Sequence, residues 1–430
     1  MKSLMRIFIL CLCLTATLSA QGLPPAAAES VGLSRARLQR VENMMTQYVE
    51  RKQIAGAVAL VARKGKTAYV KSVGLQDIET KKPMQDNTIF RIASMTKPIT
   101  SVAVMILHEE GRFRLDDPLF KYLPEFKDMK VLVDAPATNG KANADSLAPA
   151  KRPITIRHLL THTAGFTYHW NERLGSLYDK AGIAHGLGLH DETLAESMKK
   201  LAGLPLMHQP GDKWEYGLST DVLGYLVEVV SGKPFNEFLR ERIFMPLKMN
   251  DTHFFLPENK AARLATVYQF SEEKGLVKVP DHVTFAGKGD YSPSYPVSGP
   301  QRYYSGGAGL SSTVADYARF AQMLLNGGEL EGARILSRKS IELMTADFLK
   351  EKTAPFGFGF GLGFGIKNDV TFSGELGSVG AYGWSGAWYT RFWIDPAEQM
   401  VALIMVQLPP FTSVDLNQKF PTLVYQAIVD

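Results

Sequence analysis

Between residues 90 and 98 the chain reads Phe-Arg-Ile-Ala-Ser-Met-Thr-Lys-Pro, an extended apolar run that becomes a helix at a Ser-x-x-Lys pair. One helical turn separates Ser94 from Lys97, so hydroxyl and amine can share one proton network. Pro98 is tolerated in the first turn of an apolar helix predicted over 96–107. The Ser94 hydroxyl and backbone N–H then stand at the positive end of its dipole. That placement suits a nucleophile whose attack creates an oxyanion. The plain alternative is an N-cap serine. Two further Ser-x-x-Lys patterns, 197–200 and 271–274, lack this context. Ser197 lies in an amphipathic run whose apolar face is Leu194, Met198 and Leu201, and Ser271 lies in a charged turn beside Gly275; neither follows a strand.

With 430 residues, 45% hydrophobic and 21% charged, the chain has the length for one large core or two smaller ones and the composition of a globular protein. Its N-terminus reads as a secretory signal, 1–20: Lys2 and Arg6, an apolar stretch over 7–14, then small residues ending at Leu18-Ser19-Ala20. That stretch is too short to span a bilayer. Both cysteines, Cys11 and Cys13, fall inside it. Cleavage after Ala20 leaves a thiol-free chain, without disulfides, thiolate metal sites or cysteine nucleophiles. No Gly-Cys or Ala-Cys pair follows, which argues against lipid attachment. Loss of Lys2 and Arg6 takes the formal charge from +5 to +3, too small an excess to suggest nucleic acid. The expectation is an exported, periplasmic enzyme with no stable membrane insertion after cleavage.

Residues 55–63 and 67–73 flank Lys64-Gly65-Lys66 as a hairpin, and 388–394 and 400–406 form a second around Asp395-Pro396-Ala397-Glu398-Gln399. A closing helix is predicted over 416–428. Strands at both ends and a helical middle predict an α/β (α+β) chain. One antiparallel sheet, flanked by N- and C-terminal helices, is assembled from 29–115 and 305–430, with a mostly helical insertion over 116–304. Helical periodicity marks 156–160, 194–201, 221–230 and 235–243. The stretches 134–153 and 280–300 read as surface loops. In 357–365 glycine alternates with Phe358, Phe360, Leu362 and Phe364, which misses the spacing of a nucleotide-binding loop and predicts a strand with one bare and one aromatic face.

An activated serine also needs a base and an oxyanion hole. Pro210-Gly211-Asp212-Lys213-Trp214-Glu215-Tyr216-Gly217-Leu218-Ser219 precedes a helix, and Gly383-Trp384-Ser385-Gly386-Ala387-Trp388 opens a C-terminal strand. Ser94 and Lys97, then Tyr216, then Trp384-Ser385-Gly386 resemble the serine β-lactamase-like superfamily: class C β-lactamases, DD-peptidases and especially family VIII carboxylesterases. The segments 156–165 and 305–310 are similar to its loop after the first inserted helix and to its glycine turn. The resemblance runs from about Gly32 to the C-terminus and implies a β-lactamase/DD-peptidase-like fold.

It further implies that Ser94 attacks a carbonyl, that Tyr216 or Lys97 takes the proton, and that the backbone N–H groups of Ser94 and Ala387 hold the oxyanion. Unperturbed values of ~10 for tyrosine and ~10.4 for lysine are too high for a base at neutral pH, and a neighbouring ammonium lowers a phenol's. Which of the two is the base stays open. Leu218 stands where the β-lactamases carry an asparagine, and Trp384 where they carry a lysine, so polar anchors for β-lactams or peptides give way to an apolar wall. Ser385 is a small departure from the Trp-Gly-Gly of the esterases. The expectation is therefore a hydrolase of neutral, short-chain esters, with Trp384, Ser385, Gly386 and Leu218 binding a small-molecule ester or amide. A β-lactamase or D-amino acid peptidase is the alternative.

His158 and His162 have the i, i+4 spacing of zinc ligands, but the intervening Leu-Leu-Thr lacks the glutamate of His-Glu-x-x-His, and loop packing by His162 is the better reading. No metal or cofactor is called for. Gly383-Trp384-Ser385-Gly386-Ala387 approaches the Gly-x-Ser-x-Gly of α/β-hydrolases but lacks its last glycine. A non-catalytic peptidoglycan-binding sensor is a further possibility, against which stand an intact Ser94, Lys97 and Tyr216.

Overall fold

The computed structural model describes residues 22–430 except 134–145, 272, 286–287, 350–356 and 411–413. The expected signal segment, 1–20, lies outside the described residues. Helix α1, Arg35–Glu50, starts where Ser34 accepts the Arg37 N–H, and it buries Leu38, Val41, Met44, Met45 and Tyr48 along one stripe. The strands β1, Gly56–Arg63, and β2, Lys66–Asp77, form the expected hairpin, and β3, Lys82–Pro83, pairs with β2. Helix α2, Thr96–Glu109, is buried on every side from Thr96 to Leu107. Further along come α3, Ser219–Ser231, and α4, Val314–Leu325. The chain closes with β4, Gly359–Phe360, β5, Gly365–Ile366, β6, Tyr382–Gly386, β7, Thr390–Asp395, β8, Met400–Met405, and α5, Leu416–Tyr425.

These eight strands form one sheet in the order β4-β5-β6-β7-β8-β1-β2-β3, so the two ends of the sequence meet at β8 and β1. The pairing is antiparallel, from Val58 opposite Met405 to Arg63 opposite Met400. Alternation along the strands fills both faces. Val58, Leu60, Leu403 and Met405 join the large core on the side of α4, while Ala57, Ala59, Val61 and Ile404 pack against α1 and α5. No helix among the described residues is long and apolar enough to cross a membrane.

Several local expectations are corrected. Residues 357–365 are not one strand: β4 and β5 pair with each other, Gly359 opposite Ile366, so the glycines permit a tight turn. Ser146–Pro149 is a strand beside Lys130–Val133, and the expected loop 280–300 contains the paired strands Val283–Phe285 and Lys288–Tyr291. The helix expected over 235–243 is a short α-helix, Phe235–Leu239, running into a π turn, Arg240–Phe244. The second hairpin's first strand begins at Thr390 because Trp388 and Tyr389 turn the chain, with Tyr389 at φ +73°.

Candidate active site

Ser94 sits in a 3₁₀ turn, Ala93–Met95, that leads directly into α2. The two-residue strand Phe90–Arg91 before it is tied to Ser311–Ser312, and Tyr317 on α4 donates its hydroxyl to the Met95 carbonyl at 2.8 Å. Ala93 adopts φ +43°, a left-handed conformation costly for a residue with a Cβ, at the position next to the expected nucleophile. Ser94 stays partly exposed while Lys97 is buried. Lys97 Nζ donates to Ser94 Oγ at 3.2 Å, to the Tyr168 hydroxyl at 2.9 Å and to the Gly307 carbonyl at 2.8 Å.

Tyr216 is brought to the same place, in a different attitude from the one its motif suggests. Lys97 Nζ lies over its ring, 4.6 Å from the centroid, and its hydroxyl accepts the Trp384 indole N–H at 3.2 Å. Trp384 is therefore more than an apolar wall, because its one polar atom addresses Tyr216. Tyr168, which the sequence reading passed over, holds the hydrogen bond to Lys97. Burial pushes its phenol well above the ordinary tyrosine value, and Tyr216 and Asp221 add to the effect. Its only sequence signal is proximity to the segment 156–165.

His162 packs beneath Tyr216 with ring centroids 5.1 Å apart, at φ +53°. Burial, reinforced by Lys97, holds its imidazole well below the usual histidine value, so it is neutral. His158 turns elsewhere: its Nδ1 accepts the Thr155 N–H and closes a capping box on the helix Ile156–Leu160.

Strand β6 carries Trp384, Ser385 and Gly386 past Ser94. Strand β5 pairs with it at Tyr382 and Gly383, which among the described residues leaves 384–386 as an edge. A Cβ at Gly386 would meet the Ile92 carbonyl at 2.2 Å, so glycine there is what lets β6 lie against the Ser94 turn. Ser94, Tyr216, Trp384, Ser385, Gly386 and Ala387 line one cavity of about 770 Å³, walled further by Tyr168, Trp170, Trp214 and Phe358. Leu218 is a correction. It is fully buried in the core just before α3, with no surface to offer a substrate. Helix α3 needs that apolar anchor at its start.

A serine at a strained strand-to-helix turn, hydrogen-bonded to a buried lysine and faced by a glycine-bearing strand edge, defines a serine hydrolase. The chain belongs to the Beta-lactamase family, whose model matches residues 41–420. It is similar to Protein Rv1367c of Mycobacterium tuberculosis, 36% identical over 379 residues that cover 84% of this chain and 88% of that one. Esterase EstB of Burkholderia gladioli is 32% identical over 374 residues, 85% of this chain and 89% of that one. Among solved structures, EstCE1, a hydrolase with promiscuous acyltransferase activity, matches with a TM-score of 0.78 at 28% identity, over 91% of this chain and 99% of that one.

Proposed function

We propose that the protein hydrolyses neutral carboxylic esters with a short acyl chain through an acyl-enzyme on Ser94. The observation that carries this is the 3.2 Å contact of Ser94 Oγ with Lys97 Nζ at the wall of an aromatic cavity where Trp384 replaces a cation. Ser94 Oγ bonds to the ester carbonyl carbon and its proton passes to the Lys97–Tyr216 pair. The carbonyl oxygen takes the electron pair and rests on the N–H groups of Ser94 and Ala387. Collapse breaks the carbon–oxygen bond to the alcohol, which leaves with the proton. Water then attacks the acyl carbon, releasing the acid and restoring the serine hydroxyl.

The Trp384 N–H donates to the Tyr216 oxygen and holds it toward the cavity, which supports Tyr216 in the role of base. The test is a panel of p-nitrophenyl esters, a chromogenic cephalosporin and D-amino acid amides on one preparation, with fluorophosphonate labelling of the active serine. Preference for the cephalosporin or the amides makes the protein a β-lactamase or a D-amino acid peptidase instead. Labelling without turnover of any of them favours a peptidoglycan sensor.

A second reading, acyl transfer to an alcohol, is favoured by the size of the cavity. At about 770 Å³ it lies within the ~300–1,000 Å³ usual for small-molecule sites and has room for an alcohol beside acylated Ser94. The acyltransferase activity described for EstCE1 supports it. Ester product formed in the presence of added alcohol tests it. Export to the periplasm belongs to the same proposal and rests on Lys2, Arg6 and the apolar stretch 7–14. An exported chain starting near Gln21 and free of thiols is the expected result, and intact mass measures it.

A further inference from the structure

Lys97 is a buried amine whose three hydrogen bonds all go to neutral oxygens. A charge so placed is costly unless an opposite charge lies near. Asp221, in the first turn of α3, is equally buried. Its Oδ1 accepts from Ser305 Oγ at 2.6 Å and from the Tyr303 hydroxyl at 3.2 Å. Neither partner belongs to its own helix, so it is not serving as a cap. Its Oδ2 makes no full hydrogen bond and lies against Gly307, where a Cβ would meet it at 2.4 Å. The carbonyl of that same Gly307 accepts from Lys97. The turn 305–309 is thus threaded between the two buried charges, with Thr100 on α2 also donating to the Gly306 carbonyl at 2.7 Å.

We propose that Asp221 is a positioning residue for the reaction: through the Gly307 peptide it supplies the counter-charge of Lys97 and fixes the carbonyl that aims the amine at Ser94. The proposal rests on the serine-hydrolase reading and names what orients its lysine. Asp221 itself is pulled two ways. Burial raises its carboxyl, while the Ser305 bond and the charge of Lys97 oppose that rise. The titratable groups facing this assembly are Lys97 from α2, Tyr168, His162 and Tyr216 from the segment before α3, and Tyr303 beside the turn.

The test is Asp221→Asn, which keeps the shape and the acceptor for Ser305 and Tyr303, removes the charge and turns the oxygen facing Gly307 into an N–H donor. The rate of Ser94 labelling by a fluorophosphonate, followed by mass spectrometry, should fall at least tenfold. For p-nitrophenyl butyrate kcat should fall in parallel with KM unchanged within twofold. Both limbs of the pH profile should move to lower pH by about half a unit or more, because loss of a negative charge lowers the pKa of every neighbouring acid. Ser305→Ala, which keeps the charge and loosens it, should slow labelling several-fold at constant KM. A folded Asp221→Asn with wild-type labelling and pH limbs overturns the proposal. So does an unfolded Asp221→Asn together with a Ser305→Ala that labels normally. A wild-type chain that labels at Ser94 yet hydrolyses no ester sinks the substrate reading and leaves this one standing.

Discussion

Lys97 Nζ meets Tyr216 through the face of its ring, 4.6 Å from the centroid, and not through its hydroxyl. The hydroxyl is left to the Trp384 N–H, and the lysine's own hydrogen bonds run to Ser94, Tyr168 and Gly307. Two tyrosines therefore flank one amine in different ways. The amine addresses one tyrosine by its ring face and the other by its oxygen. Tyr168, deeply buried, is held in its neutral form.

Ser94→Ala should remove nearly all ester hydrolysis and all phosphonate labelling. Ser197→Ala should retain a measurable rate, since its hydroxyl accepts the Ala184 N–H at 3.1 Å and meets Tyr303, away from Ser94, and Ser271→Ala and Ser385→Ala should retain one too. Peptide mapping of the adduct checks the assignment, and an adduct on another serine would overturn it.

Gly386→Ala should damage both fold and activity. The new methyl would lie 2.2 Å from the Ile92 carbonyl and 2.3 Å from Thr390 Oγ1, forcing β6 away from the Ser94 turn. Overpacking of this kind costs about 1–3 kcal/mol. A lower Tm with at least a tenfold drop in kcat is expected, and an unchanged Tm would show that the strand yields.

Acid should destabilise the fold before it protonates most carboxylates. Burial holds His162 and His185 well below the ordinary histidine value and His190 at about 4. Folded values below the unfolded value of ~6.5 mean that the unfolded chain binds more protons, so stability falls as pH drops through ~6.5. His190 alone contributes on the order of 3 kcal/mol by pH 4. Urea midpoints measured from pH 7.5 to 4.5 should hold at first and decline below about pH 6.5, and His190→Gln should flatten the slope.

Short-chain esters should be preferred to penicillins, but by less than two lost anchors imply. Leu218 is sealed in the core, so the argument rests on Trp384 alone. One missing polar partner costs about 1–3 kcal/mol, on the order of tenfold to a hundredfold in kcat/KM. The comparison is p-nitrophenyl butyrate against a cephalosporin, and a better β-lactam rate rejects the esterase reading.

What was legible in the sequence was local. Ser94 and Lys97 share one helical turn, and the terminal hairpins carry short continuous apolar runs bounded by turn signals, so local sequence predicts them. The Lys97–Tyr168 bond joins residues 71 apart, and nothing in the spacing of Tyr168 announces it. Leu218 was misread because a motif position says nothing of which way a helix start buries its side chain. The alternation over 357–365 suggested one strand and hid the turn that glycine permits between Gly359–Phe360 and Gly365–Ile366.

The two tyrosines give the sharpest separation of roles. Tyr216→Phe keeps the ring under Lys97 and removes only the oxygen that accepts the Trp384 N–H, so kcat should fall by a factor typical of a lost general base, about 10²–10⁴. Tyr168→Phe removes a neutral hydrogen-bond partner of Lys97, and the amine keeps Ser94 and Gly307. A loss near 1 kcal/mol, about fivefold, is expected there. Trp384→Phe should fall between them, because it leaves the Tyr216 oxygen without its donor while keeping an aromatic wall. Ester hydrolysis measured from pH 6 to 9 on all three variants decides it. If Tyr168→Phe is the one that abolishes the acid limb, the base is the tyrosine bonded to Lys97, and Tyr216 is part of the wall.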